Sequence, residues 1–160
     1  AALGASAFAA MKEMAFNGDW KPLIAYIAER IEAGMGLRDL IRGETSIQAF
    51  LNVYLGLGDL YIIHSEKELN KGYADLTMEP FLALYPALKY AYLIEIKYMK
   101  AAPRDAELRE EKISKLKEEA EQQLKRYGID EKFRKAIGRS KLVKLVLVFC
   151  GHRLVYSGEA

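Results

Sequence analysis

The chain has 160 residues, a net charge of +2 and 51% hydrophobic residues. This length suits one domain with its own core, and so small a net charge does not by itself indicate a polyanion partner. The single cysteine, Cys150, excludes an internal disulfide and favours a reducing, cytoplasmic compartment. No apolar run reaches the roughly 18 residues that span a bilayer, and the first ten residues lack the basic start of a signal peptide. The missing initiator methionine suggests a fragment of a longer chain.

The first part of the chain is predicted to be helical. Residues 5–16 are rich in alanine, and residues 20–33 follow after the helix-breaking sequence NGD. A third helix is predicted from Glu44 to about residue 57, because apolar side chains recur there at helical spacing. Residues 1–43 are therefore predicted to form a helical N-terminal segment before a domain over residues 44–160.

After the third helix the hydrophobic period changes from 3.6 to 2, which predicts strands. A long charged helix is predicted between the third and fourth strands, and this gives the order αβββαβ with one further strand. That order predicts an α/β fold with one mixed central sheet flanked by helices on both faces. The predicted strands cover residues 60–69, 73–79, 89–99, 141–150 and 153–157, and the charged helix covers residues 104–127.

Three charged residues are predicted to meet on one face of this sheet. Asp75 lies in the middle of the second strand, and Glu95 and Lys97 share one face of the third. An unpaired acid so close to a core is energetically expensive, so its position needs a reason. If the loop over residues 80–89 joins the two strands as a hairpin, two carboxylates and one ammonium group occupy one surface. Strict alternation places Tyr73, Thr77 and Glu79 on the face of Asp75, and Ala74, Leu76 and Met78 on the opposite face.

This arrangement has the chemistry of a divalent-cation site. Carboxylates are the ligands that Mg²⁺ or Mn²⁺ prefers, so Asp75 and Glu95 are predicted metal ligands, with the carbonyl of Ile96 as a third. Lys97 could orient or deprotonate the attacking water, or offset the charge of the transition state. The alternative, in which Glu95 and Lys97 form a solvated pair on an exposed sheet face, stays open.

The segments GYADLTMEPF and YLIEIKYMK resemble the D-x(n)-(D/E)-x-K signature of the PD-(D/E)XK nuclease superfamily, whose restriction-endonuclease-like core has the order αβββαβ. The likeness covers roughly residues 44–157. It extends in particular to the nuclease-like C-terminal domain of bacterial AAA-ATPase-like proteins. The residues that carry it are Ser65-Glu66, Gly72 and Asp75, then Ile94 to Tyr98, then Ala120, Gln123 and Leu124.

The resemblance implies a Mg²⁺-dependent nuclease acting on DNA, with an ATPase domain as partner in the full-length chain. It adds two residues to the predicted catalytic set of Asp75, Glu95 and Lys97. Glu44 corresponds to a metal-associated glutamate of the superfamily, and Gln123 to a residue that supports the site. Glu44 could instead complement its helix dipole, and Gln123 could be one polar residue on a charged helix.

The basic residues between positions 125 and 144 would suit a phosphate backbone, although a solvated helix surface explains them equally well. Three functions therefore remain open at this point. They are a metal-dependent nuclease, a nuclease-like module that binds nucleic acid or protein without cutting, and a subunit-association domain. The sequence also does not distinguish DNA from RNA as the bound nucleic acid, and it does not show whether the protein forms a homo-oligomer. The basic residues are Lys125, Arg126, Lys132, Arg134, Lys135, Arg139, Lys141 and Lys144.

Overall fold

The computed structural model describes residues 4–34, 44–56 and 58–160, which form one five-stranded sheet with helices on both faces. A π-helical turn, Glu13–Asn17, continues the first helix. No helix of the described ranges is long and apolar enough to cross a membrane. In chain order the elements are α1 (Ala5–Lys12), α2 (Lys21–Gly34), α3 (Glu44–Gly56), β1 (Tyr61–Leu69), β2 (Gly72–Pro80), β3 (Tyr90–Met99), α4 (Ala106–Tyr127), α5 (Glu131–Ile137), β4 (Lys141–Cys150) and β5 (Arg153–Glu159).

The sheet has the order β1-β2-β3-β4-β5, and all its neighbours are antiparallel except β3 and β4. Two parallel strands need a long crossover, which α4 supplies. Helices cover both faces of β3 and β4, so side chains on both faces of these strands are buried. This explains why the two strands are nearly continuous apolar runs in the sequence. The predicted α/β class, with a mixed sheet, flanking helices and a helical N-terminal segment, is confirmed.

Two hydrophobic clusters form the core, one on each face of the sheet. The cluster on the first face joins α1, α2 and α3 to β3 side chains such as Ile94 and Ile96. The hydroxyl of Tyr92, also on this face, donates a hydrogen bond of 2.6 Å to the carbonyl of Met14 in the π-helical turn. The second cluster joins Leu93 and β4 to α4 and α5. The N-terminal helices therefore share a core with the central strands.

The short helix α5 is not among the elements predicted from the sequence. Asp130 caps it, because its side chain accepts a hydrogen bond of 2.8 Å from the N–H of Phe133. Phe133 and Ile137 are buried against the second cluster. Seven residues are too few to show a helical period clearly.

The β1–β2 hairpin bends in its middle. Leu76 packs in the first cluster, whereas Ala74 packs in the second. The predicted strict alternation over residues 73–79 is therefore wrong at Ala74. The change of face occurs opposite Glu66, whose φ of 55° is left-handed and cannot continue a regular strand.

Beyond the bend, the tip of the hairpin docks on α4 and α5. The N–H of Asn70 donates to Oδ2 of Asp130 at 3.0 Å, and Nδ2 of Asn70 donates to the carbonyl of Arg126, also at 3.0 Å. Gly72 lies so close to α4 that a Cβ there would be 2.5 Å from the ring of Tyr127. Glycine at this position is thus explained by the close approach of the hairpin to the helix.

Candidate active site

The candidate site lies where the bent hairpin separates from β3. Backbone pairing between β2 and β3 ends at Leu76 and Ile94. Beyond that pair, side-chain carboxyl oxygens accept hydrogen bonds from backbone N–H groups, in place of the backbone carbonyls of a regular sheet. The N–H of Asp75 donates to Oε1 of Glu95 at 3.1 Å, and the N–H of Ile96 donates to Oδ2 of Asp75 at 2.8 Å. These reciprocal bonds hold the two carboxyl groups together at the point where the strands diverge.

Burial and mutual repulsion make this pair resist full ionisation. Burial and, next in size, the neighbouring charge of Asp75 raise the pKa of Glu95 to about 9. Burial also raises the pKa of Asp75, partly offset by the hydrogen bond from Ile96. Because both carboxyl groups are close and Glu95 is the more buried, we place the shared proton on Glu95. A bound cation would satisfy the pair in place of this proton.

Lys97 lies on the same face of β3 as Glu95, two residues further along the strand, and is half-buried. Its positive charge lowers the pKa of both Asp75 and Glu95, so it is near enough to act on them. No ion pair within 4.0 Å joins Lys97 to a carboxylate in the described part of the chain. The ammonium group therefore lies beside the acid pair without being neutralised by direct contact.

The donor set fits a hard divalent cation. The N–H and C=O groups of one residue in a strand point to the same edge, and the N–H of Ile96 is bonded to Asp75. The Ile96 carbonyl is thus directed to the same side as the acid pair. Within the described residues, no group of three or more His, Cys, Asp or Glu side chains is placed to hold a metal ion. A cation here would depend on Asp75, Glu95, a backbone carbonyl and water, as Mg²⁺ sites commonly do.

The other two predicted site residues are less directly connected. Gln123 is half-buried on α4, and its Oε1 is buried without a hydrogen-bond partner among the described residues. An unpaired buried acceptor of this kind needs an explanation, such as an ordered water or ion. No hydrogen bond joins Gln123 to the acid pair within those residues. Glu44 begins α3, but its side chain lies outside the described residues, so its role stays a prediction.

Gln48 is a contact of the site that the sequence analysis missed. Its Nε2 donates to the carbonyl of Asp75 at 2.8 Å and to Oε1 of Glu66 at 3.0 Å. Both amide hydrogens are thereby used to hold α3 against the bend in the hairpin. Its position in the sequence could have indicated this role, because Gln48 follows Glu44 by four residues and therefore lies on the same face of the helix.

Glu66 belongs to a charged stretch of sequence and is exposed, as a solvated residue would be. It nevertheless accepts the bond from Gln48, and its charge raises the pKa of Asp75. Glu79, predicted on the face of Asp75, is instead paired with Lys67 and lies 4.0 Å from His64. Glu66 is therefore a further carboxylate with an electrostatic effect on Asp75, whereas Glu79 pairs with Lys67.

The basic segment divides into structural and exposed residues. Nε of Arg134 donates to the carbonyl of Gly128 at 2.5 Å, and Arg126 donates to the hydroxyl of Tyr127 at 3.2 Å. These two arginines are partly used within the fold. The side chains that remain exposed are Lys125, Lys132, Lys135, Arg139 and Lys141.

Comparison with known proteins gave one family match. Residues 42–159 match the family model described as the PD-(D/E)XK nuclease superfamily. Neither the curated proteins nor the solved structures include a match to the chain. Because the family match spans well over half of the chain, the protein belongs to the PD-(D/E)XK nuclease superfamily.

Proposed function

We propose that this protein hydrolyses phosphodiester bonds in DNA and that Asp75, Glu95 and Lys97 form its catalytic centre. The observation that carries the proposal is the buried, hydrogen-bonded carboxyl pair beside the half-buried ammonium group of Lys97. Two acids pressed together in this way destabilise the fold unless a proton or cation joins them. A site whose function needs a cation supplies the reason for keeping them.

Asp75, Glu95 and the carbonyl of Ile96 would hold Mg²⁺ or Mn²⁺. When bound, the ion would supply Lewis-acid stabilisation of the charge on the reacting phosphate. Lys97 would orient the attacking water or offset the developing negative charge. Gln48 would fix the backbone of Asp75, while Gln123 and Glu44 would border the site.

The resemblance to domains of AAA-ATPase-like proteins supports three further parts of the proposal. Residues 44–160 would form the nuclease domain after a helical segment over residues 1–43. An ATPase domain would be its partner in a bacterial protein, and the cytoplasm would be its compartment. Exposed lysines of the basic segment, such as Lys132 and Lys135, would contact the DNA backbone.

A module that binds nucleic acid without cutting is the second candidate, and the exposed basic segment is the observation that favours it. The two functions differ in what Lys97 does. In an enzyme it acts mainly in the transition state. In a binding module it is one phosphate contact among several, worth about one charge in the salt dependence of binding.

The test compares Lys97→Ala with Lys89→Ala on plasmid, linear and single-stranded DNA in Mg²⁺, Mn²⁺ and EDTA. Lys89 is an exposed lysine just before the other end of β3, so it matches the charge change without touching the acid pair. We expect Lys97→Ala to lower kcat by about a hundredfold or more while KM changes little. Lys89→Ala should keep the kcat of the unmodified protein.

Thermal unfolding would first confirm that both variants are folded. Intact cleavage by Lys97→Ala would remove Lys97 from the mechanism. A wild-type protein that binds these DNAs but cuts none of them with either metal would support the binding module.

A further inference from the structure

A concave region, separate from the acid pair, lies at the C-terminal ends of β3 and β4, beside the first turns of α4. It is a cavity of about 630 Å³. Its lining is mostly apolar, from Met99, Ala102, Ile113, Cys150 and Val155, and four basic side chains lie around these residues. These are Lys100, Arg109, His152 and Arg153.

No carboxylate of the residues that the structure describes lines this cavity. Arg153 has an acid partner, since its Nε is 3.3 Å from Oε1 of Glu32, but both side chains are largely exposed, so the pair is weak and exchangeable. Lys100, Arg109 and His152 form no ion pair with a carboxylate in the described ranges. Arg109 and His152 are half-buried. Lys100, Arg109 and Arg153, with Glu32 as their one ion-paired acid in the described ranges, create a positive potential that favours an anion.

The cavity adjoins the candidate active site along β3. Met99 belongs to the same core cluster as Leu93, so it lies on the sheet face that also carries Glu95 and Lys97. Two residues of a strand advance about 6.6 Å, so the cavity begins about that far beyond Lys97. One strand of DNA rises about 3.4 Å per nucleotide. A strand with a phosphate at the acid pair could therefore reach the cavity within a few nucleotides.

We propose that this cavity binds a phosphate monoester, namely the terminal phosphate of the DNA strand that enters the active site. A monoester carries a charge of about −1.5 to −2 at pH 7, whereas each backbone phosphodiester carries one negative charge. The positive charges of Lys100, Arg109 and Arg153 therefore suit the strand end better than its interior. Arg109 can bind two phosphate oxygens at once through its planar guanidinium group. The inference rests on the proposed nuclease function and adds that linear DNA is cut faster from a phosphorylated end.

The binding part is tested with inorganic phosphate and with a short oligonucleotide, either phosphorylated or hydroxylated at one end. Calorimetry would compare the unmodified protein, Arg109→Gln and the control Lys112→Gln. Lys112 is an exposed lysine on the same helix that does not line the cavity. We expect Arg109→Gln to weaken binding of both phosphate probes by about tenfold or more, and Lys112→Gln to change it by less than about twofold. Equal binding by Arg109→Gln and the unmodified protein would overturn the proposal.

The cleavage part uses linear DNA with 5′-phosphate, 3′-phosphate or hydroxyl ends, and a closed circular plasmid. One phosphorylated end should be cut about tenfold faster than the hydroxyl end, and Arg109→Gln should abolish this preference. The control Lys112→Gln should keep both the end preference and the plasmid cutting of the unmodified protein. Plasmid cutting without any end preference would overturn the inference and leave the nuclease function intact. If no DNA is cut but Arg109-dependent binding of inorganic phosphate persists, the nuclease function fails and the cavity takes free phosphate esters rather than strand ends.

Discussion

Glu95 is 2% exposed, and its carboxyl group is held against Asp75, where neither acid has an ion-paired cation among the described residues. Its pKa of about 9 compares with an ordinary value of 4.5. Between these two pH values the folded protein keeps a proton that the unfolded chain releases. By linkage, the free energy of unfolding then decreases as the pH rises through this interval.

In EDTA, the protein is therefore expected to lose stability from pH 5 to pH 8, by up to about 1.4 kcal/mol for each pH unit. Glu95→Gln keeps an acceptor oxygen but cannot ionise, so it should flatten this decrease and be more stable than the unmodified protein at pH 8. Urea unfolding at pH 5, 6.5 and 8 measures both effects. A flat profile for the unmodified protein would contradict the assignment of the shared proton to Glu95.

Gln48 offers a prediction about positioning, with a matched control one turn away on the same helix. Nδ2 of Asn52 donates to Oγ of Ser65 at 2.7 Å, so Asn52 also joins α3 to β1 but does not touch Asp75. Gln48→Ala and Asn52→Ala should each cost about 1 kcal/mol of unfolding free energy. Only Gln48→Ala should also weaken Mg²⁺ binding, by about tenfold or more, because it releases the backbone of Asp75.

Calorimetric titration with Mg²⁺, alongside urea unfolding, separates these two consequences. Equal metal affinity in the two variants would show that Gln48 serves only the packing of α3.

At the scale of elements, the docking of the hairpin on α4 depends on the absence of a side chain at Gly72. A Cβ there would be 2.5 Å from the ring of Tyr127. Gly72→Ala should therefore cost about 1–3 kcal/mol of unfolding free energy by overpacking this contact. Gly56→Ala is the control, since its Cβ would lie 3.6 Å from Ile63, an ordinary contact.

Urea unfolding of the two alanine variants measures the difference. A Gly72→Ala variant as stable as Gly56→Ala would mean that the tip of the hairpin can move away from α4 without loss.

The elements also show what the sequence could and could not predict. Glu95 and Lys97 share a face of β3 because that strand is regular, and alternation alone placed them there. Ala74 does not follow this alternation. Alternation assumes a straight strand, whereas the left-handed backbone of Glu66 bends the hairpin. The role of Gln48 depends on a contact with Asp75, 27 residues away, that no local pattern records.

At the scale of the whole molecule, a net charge of +2 conceals a local separation of charge. The buried acids lie at the junction of β2 and β3, whereas exposed cations occur on α5 and around the cavity beside Arg109. Total charge therefore does not reveal the local concentration of exposed positive charge on α5. The predicted contribution of the basic segment to DNA binding remains a prediction.

The bent hairpin also has a consequence for how the chain is made. Asn70 docks on Asp130, 60 residues later, and β3 pairs along its length with β4, which begins at Lys141. At a synthesis rate of about 5–20 residues per second, the finished hairpin waits several seconds for its docking surface. During that time β3 exposes an apolar edge without its neighbouring strand, which is a template for aggregation. We therefore expect a chain that ends between Met99 and Lys141 to aggregate more readily than the full chain, which light scattering would measure.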